Sequence, residues 1–142
     1  MSPLESSLQL VRAAAEVRRR FDAGLSSLHG LSLSDFTILR ILLDAPSGQL
    51  RRVDVAERLG VTPSGATRLL APLETRGLVV RLPHPSDARA SLSALSDEGR
   101  ALAEDATTTA EEVAERVVDA RLDRAEVDTL SNLLLRLVPP TY

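Results

Sequence analysis

Between Val53 and Leu95 the chain reads VDVAERLGVTPSGATRLLAPLETRGLVVRLPHPSDARASLSAL, and the order of its starts and stops leaves few folds open. VDVAERLGV is a helix of about two turns stopped by Gly60. Thr62 is an N-cap, and Pro63 fits the first position of the next helix, where its missing N–H does no harm. That second helix puts Ala66, Leu69, Leu70 and Leu73 on one face, leaves Ser64, Gly65, Thr67 and Arg68 on the other, and closes at Gly77. Two short helices joined by a tight glycine-containing turn form a helix-turn-helix unit, whose second helix can enter a major groove. LVVRL and SLSAL then read as two strands, and the stretch from Pro83 to about Arg89 is the tip of a long hairpin. A hairpin directly after such a helix is a wing. Its arginine gains from the negative potential of a narrow minor groove, and Asp87 is placed to hydrogen-bond and orient the Arg89 side chain.

The flanks are helical. Leu4, Leu8, Val11, Ala15, Val17, Phe21, Leu25 and Leu28 recur at helical spacing over about residues 4 to 28. HGLSLSDF interrupts them, with Ser34 expected to cap the apolar helix DFTILRILLDA, which PSGQL ends. Aromatic residues make up only 2 % of the chain, so the core is aliphatic and favours helices over a large sheet. Leu102, Ala106, Ala110, Val113 and Val117 define a helix of about 35 Å if continuous from 97 to 120. Asp123 with Glu126 forms a capping box for a last helix seamed by Val127, Leu130, Leu134 and Leu137 and ended by Pro139-Pro140. A helix that long reaches beyond one small winged domain, so its apolar seam calls for a second subunit in a C2 dimer.

Net charge is −3, but unevenly spread. Residues 51–89 hold seven arginines against four acids, whereas residues 90–142 hold five against eleven. A basic middle beside an acidic C-terminal third points the middle at a polyanion. All 17 basic residues are arginine. With no cysteine, thiolate metal sites and thiol redox sensing are excluded. Two histidines, His29 and His84, and scattered carboxylates such as Glu111, Glu112 and Glu115 give neither a catalytic triad nor metal-ligand spacing, and no cofactor is expected. No apolar run has the length of a membrane span, and the first residues lack the pattern of a signal peptide, so a cytoplasmic protein is expected.

VAERLGVTPS, TRLLAPLETRGLV, the Asp87-Ala88-Arg89 tip and LSDEG, in that order, resemble the MarR family of winged helix-turn-helix regulators, and the likeness covers essentially the whole chain. It implies a mainly α fold ordered helix, helix, strand, helix, helix, strand, wing, strand, helix, helix. It also implies an N-terminal dimerisation helix over 1–32, a DNA-binding domain over 33–96 and C-terminal dimerisation helices over 97–142. A homodimer would bind a pseudo-palindromic operator and, as a repressor, be released by a small phenolic or anionic ligand. Thr62, Pro63, Ser64, Gly65, Thr67 and Arg68 would serve the major groove, and Asp87 and Arg89 the wing contact. Arg51, Arg76 and Arg81 fit phosphate contacts by charge and position, and Phe21, Leu25, His29 and Phe36 would line the ligand pocket. Gly65 and Pro72 depart from the family pattern inside the recognition helix. His84 departs on the wing, where an acidic residue is commoner. The two helix departures leave open a winged-helix dimer that has lost DNA binding and serves as a protein-interaction module.

Overall fold

The computed structural model describes residues 1–138. Helix α1 (Pro3–His29) opens on a capping box, in which Ser2 Oγ accepts from the Glu5 amide and the Glu5 carboxylate accepts from Ser2 N. Those hydrogen bonds, to the backbone first and to the hydroxyl second, hold the Glu5 carboxyl below its ordinary pKa. Helix α2 (Leu33–Asp44) is capped by Ser32, not Ser34. Ser32 Oγ accepts from the Asp35 amide while Asp35 Oδ2 accepts from Ser32 N, both at 3.0 Å. The reason is the residue three places on: Ser32 has a carboxylate there, whereas Ser34 has Thr37, which has none to reach back with. Ser34 instead receives a hydrogen bond from Arg18 Nη1.

Strand β1 (Gln49–Arg51) leads into α3 (Arg52–Leu59) and α4 (Pro63–Thr75), then β2 (Val79–Pro83) and β3 (Ser91–Leu95). The three strands pair antiparallel in the order β1-β3-β2, with Arg51 opposite Leu92 and Val79 opposite Leu95. Helix α5 (Asp97–Ala114) runs directly into a π-helical turn (Glu115–Asp119), and α6 (Arg124–Leu137) follows behind the predicted Asp123–Glu126 capping box. The predicted Pro139-Pro140 stop lies outside the described residues.

One aliphatic core holds the winged part together. Ile38, Leu39 and Leu42 of α2, Val55 of α3, Leu70 and Leu73 of α4 and Val79 of β2 are buried with Leu25, Leu31, Ala103 and Ala106. Small residues on α5 let it lie close: a Cβ at Gly99 would overlap the Leu78 carbonyl oxygen, so the start of α5 sits directly on the corner between α4 and β2. The leucines near both ends of the chain have no such partners. Leu4, Leu8 and Val11 of α1 and Leu133, Leu134, Leu135 and Leu137 of α6 are exposed.

Candidate nucleic-acid interface

The recognition surface starts with the turn between α3 and α4. Gly60 ends α3 at φ 68°, a left-handed conformation that a side chain would strain. Thr62 then accepts from the Gly65 amide at 3.1 Å, and Pro63 is the first residue of α4. Ala66, Leu70 and Leu73 turn inward and are buried, which leaves Ser64, Thr67 and Arg68 exposed on the outer face. Gly65 has a local packing reason, because a Cβ there would lie 3.2 Å from Thr62 Oγ1 and 3.4 Å from Val61 Cβ. Its lack of a side chain makes room for the cap. Pro72 leaves the Arg68 carbonyl without its helical donor, yet α4 continues through it to Thr75.

Arg52 anchors α3 to the far end of α4. Its Nη1 donates to Glu74 Oε1 at 2.5 Å, with the Arg52 side chain only 12 % exposed. Sequence reasoning missed this pair; the partners lie 22 residues apart and no local period links them. Such a pair, short and largely screened from water, fixes the angle between the two helices of the unit.

On the wing, Asp87 does something other than predicted. Its Oδ1 accepts from the Arg89 backbone amide at 2.9 Å, and its carbonyl accepts from Ala90 N at 3.1 Å. The carboxylate therefore stiffens the turn, as Asp does two residues ahead of a backbone N–H, and does not hold the Arg89 guanidinium. Among the described residues Arg89 has no carboxylate partner, and Asp87, Ala88 and Arg89 are all exposed. His84 accepts from the Ser86 amide through Nδ1 at 3.1 Å, so it too shapes the loop.

The three arginines expected at phosphates differ. Arg81 is exposed on β2 and has no ion pair among the described residues. Arg51 closes its fork on Asp54, with Nε at 2.9 Å and Nη2 at 3.1 Å. The hydrogen bond to Asp54 and its charge raise the Arg51 pKa further. Arg76 donates through Nη1 to the Gly30 carbonyl at 3.0 Å, a contact with the end of α1.

Of the four residues expected to line a ligand pocket, Leu25 is fully buried in the core. Phe21 and Phe36 pack half-buried against it, and His29 Nε2 lies 2.7 Å from Thr109 Oγ1 of α5. A neighbouring open cleft of about 580 Å³ is lined by Arg19, Asp22, Ser26 and Gly30 among others, and by none of the four. No group of three or more His, Cys, Asp or Glu among the described residues could hold a metal ion. No helix among them is long and apolar enough to cross a membrane.

A capped recognition helix, an antiparallel hairpin with an arginine at its tip and helices running out at both ends define a winged helix-turn-helix DNA-binding protein. Known proteins agree. The MarR family model matches residues 29–90. HTH-type transcriptional repressor Rv2887 of Mycobacterium tuberculosis is 36 % identical over 113 residues, 80 % of this chain and 76 % of the repressor. A mutant of MarR from Escherichia coli, solved in complex with operator DNA, superposes with a TM-score of 0.83 at 25 % identity, covering 98 % of this chain and 100 % of that one. CouR from Rhodococcus jostii, bound to p-coumaroyl-CoA, superposes with a TM-score of 0.81 at 26 % identity, covering 96 % and 93 %. The chain belongs to the MarR family of transcriptional regulators.

Proposed function

We propose that the protein is a homodimeric repressor that binds a pseudo-palindromic operator in double-stranded DNA and leaves it when a small phenolic or anionic ligand binds. In this reading residues 33–96 form the DNA-binding part, and residues 1–32 and 97–142 the dimerisation part. The observation that carries it is the exposed guanidinium of Arg89, which has no ion pair among the described residues, on a wing turn stiffened by Asp87 and on the same unit as the exposed Ser64, Thr67 and Arg68 of α4. The N-terminal end of α4, with Thr62, Pro63 and Gly65 shaping it, enters the major groove and Arg68 reads base edges. Arg89 enters the flanking minor groove. Arg81 meets phosphate, and Arg51 does so with a fork already shared with Asp54.

The complex of Escherichia coli MarR with operator DNA supports the first half of this reading, and the p-coumaroyl-CoA complex of CouR supports an aromatic, anionic effector. In this reading the effector binds around Phe21, Leu25, His29 and Phe36, near the end of α1 and the start of α2. The test is a mobility shift with the DNA upstream of the protein's own gene, titrated against salt and competitor DNA. Saturable binding that survives competitor, and weakens by about 0.9 log units per tenfold salt for each phosphate contact, is expected. No retention at low salt would overturn the reading and favour a protein-interaction module. For the effector, a panel of phenolic and carboxylate compounds is expected to include one that raises the melting temperature and releases the DNA.

A further inference from the structure

The corner where α4 meets β2 is gripped from two sides. From one side α5 holds it: Ser96 Oγ donates to the Gly77 carbonyl at 2.5 Å, Ser96 N donates to the Leu78 carbonyl at 3.1 Å, and Gly99 lets the helix sit on Leu78. From the other side Arg76 reaches the end of α1. Arg76 Nη1 donates to the carbonyl of Gly30, the residue that caps α1 at φ 64°, and Nη2 lies 3.6 Å from where a Gly30 Cβ would stand. Among the described residues this is the one side-chain hydrogen bond between α1 and the recognition helix or its corner, and it spans 46 positions of sequence. The last residues of α1 are fastened to α5 in turn by His29 and Thr109.

We propose that Arg76 is a positioning residue: it sets the angle of α4 against α1, and thereby the separation of the two recognition helices in the dimer. This rests on the reading of a dimer on a two-part operator. Geometry gives the contact leverage. Helix α4 has 13 residues, so it is about 20 Å long, and a rotation of about 10° at its C-terminal end moves its DNA-facing end by roughly 3.5 Å, close to the rise of one base pair. The contact lies at the surface and adds little to folding stability. Its effect is on orientation, and a guanidinium turned toward Gly30 is not spent on a phosphate.

The chain has no cysteine, so Ala71→Cys on the exposed side of α4 provides a unique attachment point for a spin label. In the labelled dimer without DNA, pulsed electron resonance is expected to show a narrow distance distribution that broadens or shifts when Arg76→Ala is added. Arg76→Met, which keeps the apolar stem and removes only the donor, is expected to do the same. In unlabelled protein, either variant is expected to bind the operator about tenfold or more weakly with its salt slope unchanged. Each is also expected to discriminate less against operators with one base pair added or removed between the half-sites. A variant that merely unfolded more easily would lower the melting temperature and keep the spacing preference. Unchanged distances and spacing preference would overturn the proposal. So would a salt slope reduced by about 1.8 per dimer, the signature of two lost phosphate contacts. If the wild-type protein is monomeric or retains no operator, the dimer reading itself fails, whatever Arg76 does.

Discussion

The winged part and the terminal helices are made of the same aliphatic residues and end in opposite states. Leu70 and Leu73 of α4 are fully buried by elements of their own chain, whereas Leu133 and Leu137 of α6 are 50 % and 65 % exposed. Leu8 of α1 is 56 % exposed although it belongs to the same helix as the fully buried Leu25. The difference lies in what each helix packs against. Helix α2 is surrounded by α1, α3, α4, α5 and β3, while α6 packs substantially only on the π-helical turn before it. One region completes its core alone. The other presents apolar surface of the kind that marks a protein–protein contact, which a second subunit would cover in the proposed dimer.

That contrast can be attacked from both sides. Leu73→Ala, in the finished core, is expected to cost about 2–5 kcal/mol of stability, read by denaturant unfolding, with the loss appearing in the winged part first. Leu133→Glu, in the unfinished region, is expected to halve the mass seen by light scattering. Operator binding would fall steeply while the isolated subunit keeps its helical circular dichroism. A variant that stays dimeric would move the interface off α6. Arg89→Ala touches neither core; it is expected to weaken operator binding by about 1–3 kcal/mol, and Arg68→Ala to relax base discrimination by a similar amount, with melting temperatures unchanged. Thr62→Ala removes one cap at the DNA-facing end and is expected to cost about 1 kcal/mol of stability, with faster amide exchange at Gly65 as its local mark.

The smallest effect concerns pH. The Glu5 carboxyl titrates below its ordinary value because its charged form accepts hydrogen bonds from Ser2. Its contribution to the first turn of α1 is therefore complete above the usual glutamate range and is lost as pH falls through the depressed value. A carboxyl-carbon NMR titration is expected to show that displacement, and to show it reduced but not abolished in Ser2→Gly, which removes the hydroxyl and keeps the backbone donor.

What could be read in advance divides along the same lines. The helix-turn-helix, the hairpin and the capping box at Asp123 and Glu126 rest on residues within a few positions of each other, and periodicity and cap chemistry report such neighbours directly. The choice of Ser32 over Ser34 was also local, and turned on a carboxylate three residues on. Arg76 could not be read this way. Its charge suits a phosphate, and only the fold brings the end of α1 beside it. Asp87 is an intermediate case: its nearness to Arg89 was visible, but whether it would hold the backbone or the guanidinium depended on the turn's own geometry. Leu25 shows the converse: its place on the apolar face of α1 was legible, and its full burial depended on what the fold packs against it.

In the proposed dimer, one frame sets two recognition units to read two half-sites of DNA. Hydroxyl-radical footprinting of the bound upstream fragment tests it most directly. Two protected patches related by a dyad are expected, with centres one helical turn, about 34 Å, apart, and with outer minor-groove protection that disappears in Arg89→Ala. A single patch, or even protection along the fragment that Arg89→Ala leaves untouched, would contradict it.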